Sequence, residues 1–94
     1  MAAYLMFGKY SSEAMKGMSA DRTNKAKVQI EKFGGKVTAM FALLGDVDLV
    51  LLAEFPENEK AMQASVALTK LTGIAFKTLP AVSVEHFDTL VKEI

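Results

Sequence analysis

The 94 residues set 11 Lys and Arg against 11 Asp and Glu, for a formal net charge of +0. That balance argues against a nucleic-acid partner held by clustered positive charge, and the lack of cysteine excludes disulfides and thiolate metal sites. Such a length predicts one domain spanning 1–94, and 51% hydrophobic residues is rich for so short a chain, so some apolar surface is expected to face another subunit.

Tyr4 to Tyr10 reads as a first strand. Ser11 and Ser12 offer N-cap hydroxyls, and Glu13 suits the positive end of a helix dipole. The helical pattern from Glu13 to Phe33 is interrupted at Gly17, and Ser19 is placed to cap a fresh start. Beyond it Thr23, Ala26, Ile30 and Phe33 recur at helical spacing as one buried stripe. Lys25, Lys27 and Lys32 share this helix with Asp21 and Glu31, which reads as a solvated face. Gly34-Gly35 ends the helix.

Lys36 to Leu43 and Val47 to Phe55 read as strands joined through Leu44-Gly45-Asp46 as a hairpin. Asn58 is a candidate N-cap for a helix to about Thr72, with Ala61, Ala64 or Ser65, Leu68 and Leu71 facing inward. Gly73 closes that helix. Ile74 to Leu79 gives a fourth strand, expected to stop at Pro80. A last helix, from Val84 to about Lys92, is expected to bury Phe87, Leu90 and Val91.

This order predicts an α+β fold: a ferredoxin-like β-α-β-β-α-β two-layer sandwich with a four-stranded antiparallel sheet and a C-terminal helix. Both main helices then lie on one face of the sheet. The other face should be polar in a monomer, yet the third strand carries Val50 and Leu52 between Asp48 and Glu54 on the side away from Leu49, Leu51 and Phe55. In the second strand Val37, Ala39, Phe41 and Leu43 oppose Lys36, Thr38, Met40 and Ala42. Strands apolar on both faces are covered on both faces. A second copy packed sheet to sheet, in a dimeric α/β-barrel-like assembly, is one cover; the last helix folding back is the other. Met1 to Phe7 lacks the basic leader and long apolar run of a signal peptide, so a cytoplasmic protein with no membrane partner is expected.

Leu44-Gly45-Asp46-Val47-Asp48-Leu49-Val50, together with Tyr4-Leu5-Met6, Ile30-Glu31-Lys32-Phe33-Gly34-Gly35 and Leu71-Thr72-Gly73-Ile74, resembles the GYD family of small bacterial and archaeal proteins along essentially the whole chain. Gly45 and Asp48 match its Gly-Tyr-Asp signature, and Val47 stands where that signature has tyrosine. Gly45, Asp48, Gly73 and Ile74 also resemble, more loosely, the effector-binding domain of the leucine-responsive and asparagine-regulator transcription factors. That likeness implies sheet-mediated dimers and an amino-acid ligand near the hairpin. No helix-turn-helix accompanies the domain here, so it implies the sensor half alone.

Five residues are candidates for a ligand site. Gly45 and Asp48 fit a turn glycine and an aspartate bonded to nearby backbone N–H groups; Asp48 is alternatively the anchor for a ligand ammonium group. His86, the only histidine, reads as an exposed helix residue, with no second ligand at metal spacing. Tyr10 and Arg22, with Tyr4, could orient an aromatic or carboxylate substrate, and Arg22 could instead pair with Asp21 or Glu13. Six methionines suit core filling. No phosphate-binding glycine loop, Ser-His-Asp set or metal cluster is present, and no cofactor is implied. Two function classes remain. One is a non-enzymatic, self-associating module that binds a small molecule or regulates a partner. The other is a small cofactor-independent enzyme, monooxygenase-like, of the dimeric α/β-barrel type.

Overall fold

A computed structural model describes all 94 residues. The chain runs β1 (Ala2–Tyr10), α1 (Ser12–Lys16), α2 (Ala20–Lys32), β2 (Lys36–Ala42), β3 (Leu49–Phe55), α3 (Asn58–Thr72), β4 (Ile74–Ala81) and α4 (Val84–Val91). The strands form one antiparallel sheet in the order β2-β3-β1-β4, which is the ferredoxin-like arrangement.

Local chemistry sets the breaks. Ser11 Oγ accepts from Ala14 N–H and Ser19 Oγ from Arg22 N–H, both at 3.0 Å, so each hydroxyl starts its own helix on either side of Gly17. Gly34 (φ +80°) and Gly73 (φ +75°) supply left-handed turns after α2 and α3. One layer of side chains lies between sheet and helices. Met6, Leu51 and Phe55 from the sheet meet Ile30 of α2 and Ala64 and Leu68 of α3. The Tyr4 ring packs edge-on against Phe55, centroids 5.8 Å apart.

Several expectations need correction. A β-bulge between Val37 and Ala39 reverses the alternation within β2. Val37 pairs with Ala53 on the helix face, but Ala39 pairs with Leu52 and Phe41 with Val50 on the opposite face. Phe41 is therefore 61% exposed instead of sharing a face with Val37. The β2–β3 connection is longer than expected, because β3 begins at Leu49 and Val47 and Asp48 lie outside it. Asn58 is not the N-cap of α3; Glu57 holds that position with no side-chain cap bond. The α3 stripe ends on Thr72, not Leu71, and the Thr72 hydroxyl donates to Leu68 O at 2.7 Å, which satisfies it in the core. β4 continues through Pro80, which an edge strand tolerates because no ladder partner lies on its outer side.

The largest departure is α4. It forms where Ser83 caps it, its Oγ accepting from His86 N–H at 3.0 Å. Yet it buries nothing: Phe87, Leu90 and Val91 remain exposed. It does not close over the open face of its own sheet.

That face can be described from the register. One row across the four strands reads Ala39, Leu52, Leu5, Leu79. The next reads Phe41, Val50, Phe7, Lys77, and the row on the other side Lys36, Glu54, Ala3, Ala81. Aliphatic and aromatic side chains fill the centre, and the charges sit at the ends.

Candidate functional site

Three of the five candidates converge where β1 meets the β2–β3 loop. Asp48 closes that loop with three bonds of 2.9 Å. Its carbonyl accepts from Leu43 N–H, its own N–H donates to Gly8 O, and its Oδ2 accepts from Tyr10 N–H. The carboxylate thus extends the β1–β3 ladder past the end of β3, doing the work of a backbone carbonyl. Arg22 lies over the Tyr10 ring, 5.6 Å from its centroid, and its Nη1 donates to Ala14 O. Arg22 pairs with neither acid considered for it: Asp21 bonds Lys25 and Glu13 bonds Lys16, both pairs at the surface. The guanidinium ties α1 to β1.

The space beside these groups is small. A cavity of ≈ 50 Å³ lies between sheet and helices, bordered by Tyr10, Arg22, Met40, Leu51, Thr72 and Phe76. Binding sites for organic ligands run from about 300 Å³ upward. This one has room for a water or two.

Gly45 sits at the tip of the loop with φ +152°, and a Cβ there would meet nothing within 4 Å. Backbone conformation, not crowding, favours glycine at that position. His86 is exposed on α4, apart from the other four candidates. Gly8, not singled out from the sequence, is buried below the Asp48 latch. A Cβ on it would lie 2.9 Å from Ile74 Cγ2 and 3.1 Å from Phe76 Cε1, so its lack of side chain lets β4 residues lie across β1.

The latch makes a defined stability prediction. Asp48→Ala leaves Tyr10 N–H without its charged acceptor and is expected to cost about 1–2 kcal/mol in urea unfolding, with Asp48→Asn recovering part of it. An unchanged midpoint for Asp48→Ala would remove the latch from the account.

A second concavity was missed in the sequence. Between α3 and β4 an open groove of ≈ 390 Å³ joins Tyr4, Asn58, Ser65 and Thr78 to apolar neighbours. Its polar members come from three separate elements, and only the inward position of Thr78 between Phe76 and Pro80 on β4 hints at it. No group of acidic, histidine or cysteine side chains is arranged to hold a metal ion, and no helix is long and apolar enough to cross a membrane.

Among solved structures, the chain is similar to the leucine response regulatory protein of Mycobacterium tuberculosis, with a TM-score of 0.58 and 7% identity. The match covers 87% of this chain and 51% of that one, so the chain spans about half the length of that regulator, and at this identity the likeness concerns the fold. No curated protein matches the sequence. The family model of the GYD domain matches residues 4–91, from the start of the buried part of β1 to the end of α4. The chain belongs to the GYD domain family.

Proposed function

We propose that residues 1–94 form one self-associating, non-enzymatic module that assembles through its open sheet face and binds a small molecule in a regulatory role. The observation that carries the reading is the row Ala39, Leu52, Leu5, Leu79, flanked by Phe41, Val50 and Phe7. Four strands of about seven residues present roughly 400 Å² in projection. Within that face the seven residues of the two central rows make one contiguous apolar patch, the kind of surface that marks an interaction site. Two such faces packed about a two-fold axis would bury the aliphatic centre and leave Lys36, Lys77 and Glu54 at the margin, the arrangement of a dimeric α/β barrel.

The uncovered apolar residues of α4 support self-association as well, since Phe87, Leu90 and Val91 find no cover within the chain. Fold likeness to part of a regulatory protein supports a regulatory role. The ≈ 50 Å³ cavity at Tyr10 and Arg22 offers too little space for a substrate held by those two residues.

A covered face should not bind a dye that reports exposed apolar surface. Anilinonaphthalene sulfonate is expected to stay dim with the native protein at neutral pH. Bright emission from a protein that sediments as a monomer would overturn the proposal.

A further inference from the structure

The groove between α3 and β4 has a hydrogen-bonding inventory that selects its ligand. Ser65 Oγ donates its single hydrogen to Ala61 O at 2.9 Å. The assignment that satisfies both Ser65 contacts makes Thr78 the donor in the 2.5 Å contact between Ser65 Oγ and Thr78 Oγ1. The Tyr4 hydroxyl donates to Asn58 Oδ1. With these hydrogens committed, what remains for a ligand is fixed. The Asn58 amide nitrogen keeps two donor hydrogens, and the Tyr4 and Thr78 oxygens keep acceptor lone pairs.

No charged side chain lines the groove. A carboxylate placed there would use the Asn58 donors but face the lone pairs of Tyr4 and Thr78 with no cation to offset them. An ammonium group would use those lone pairs but lose hydration with no anion beside it. Both cost free energy that a neutral head group avoids. The remaining wall is apolar: Ala61, Met62, Val66, Phe76 and Pro80. At ≈ 390 Å³ the space falls within the range that holds small organic ligands.

We infer that the α3–β4 groove, framed by Tyr4, Asn58, Ser65 and Thr78, is the ligand site of the chain, and that it takes a small neutral molecule with a carboxamide-like head and an apolar body. The carbonyl of that head accepts from Asn58, and its N–H donates to Thr78 or Tyr4. The inference deepens the small-molecule part of the function proposed above and moves the ligand away from Asp48 and Arg22, beside which the cavity is only ≈ 50 Å³. It does not depend on how the sheet face is covered.

The test compares three probes of one body and different heads: hexanamide, hexanoate and hexylammonium. Each is titrated into the isotope-labelled native chain and followed by two-dimensional amide NMR. Hexanamide is expected to shift the amides of Asn58, Ser65 and Thr78 and to bind about tenfold more tightly than either charged probe. Thr78→Val, close in shape and lacking only the hydroxyl, is expected to weaken hexanamide severalfold and to narrow its advantage over hexanoate, which no longer faces that lone pair. Equal affinity for all three, or shifts confined to Leu5, Leu52 and Leu79 on the open face, would overturn the assignment. If the valine variant fails to fold, the comparison of heads on the native protein still decides. The particle mass measured on the same samples separates the two proposals. An oligomer without groove binding removes only the site, and a monomer that binds hexanamide removes only the assembly.

Discussion

Leu52→Asp is expected to convert the proposed sheet-to-sheet assembly to monomers while leaving the fold intact. Leu52 stands in the second strand of the central row, between Ala39 on β2 and Leu5 on β1, and its side chain points away from the helix layer. In an isolated chain a carboxylate there is solvated and costs little. In a sheet-to-sheet dimer it is placed against a second apolar face without a partner, and an isolated buried charge costs several kcal/mol. The measurement is molar mass by light scattering, with circular dichroism as the fold control. Leu52→Ala should weaken association and not abolish it. A Leu52→Asp protein that keeps its full oligomeric mass would place the interface elsewhere, with the apolar side of α4 as the next surface to examine.

Gly35→Ala is expected to be the most damaging small substitution. Gly35 follows the left-handed Gly34 at the end of α2, and its N–H donates to Ile30 O at 3.0 Å. A Cβ at Gly35 would lie 2.5 Å from Phe55 Cε1 and 2.8 Å from Ile30 Cγ2. Both neighbours are fully buried and cannot swing away. Overpacking of this kind costs about 2–3 kcal/mol, which in a domain of this size lowers Tm by roughly 10–20 °C. Gly34 has a different requirement. Its positive φ, not a crowded core, is what demands glycine, so Gly34→Asn should be tolerated far better than Gly35→Ala. Thermal melts of the two variants separate the readings; equal losses would contradict them.

The two glycines show what a sequence can and cannot reveal. A Gly-Gly pair after a periodic stripe marks the end of a helix, because a left-handed cap is a local event. The serine caps at Ser11, Ser19 and Ser83 are legible for the same reason: each hydroxyl bonds an N–H three residues ahead. The order of strands and helices, and with it the sheet topology, followed from such local signals. The crowding of Gly35 against Phe55 is a contact across twenty residues of chain and leaves no local trace.

Register was harder to read. Strict alternation in β2 placed Phe41 beside Val37, and one extra residue at the bulge moved it to the open face. That shift strengthens the two-sided character of the sheet, since Phe41 now joins Val50 and Phe7 in one apolar row. The last helix departs from expectation for a related reason. Apolar periodicity shows that Phe87, Leu90 and Val91 share a side, but it does not show what that side packs against.

The candidate site was legible in part. Asp48 bonds a backbone N–H, as a turn aspartate should, but the partner is Tyr10 on β1, which no local pattern indicates, and Arg22 joins them through the Tyr10 ring. His86 does not belong with them. The groove on the other side of the core was invisible because its contacts are long-range: Tyr4 reaches Asn58 across 54 positions, and Ser65 reaches Thr78 across 13. The position of Thr78 between Phe76 and Pro80 on β4 is the groove's one local trace.

The most direct test of the account is the mass of the native particle. Native mass spectrometry of the freshly purified protein reports subunit number and any retained small molecule in one spectrum. The account predicts a dimer or larger ring, with no substantial population at the 10.2 kDa of a single chain. A bare 10.2 kDa monomer at micromolar concentration would contradict it, and would mean that the row from Ala39 to Leu79 stays open to water.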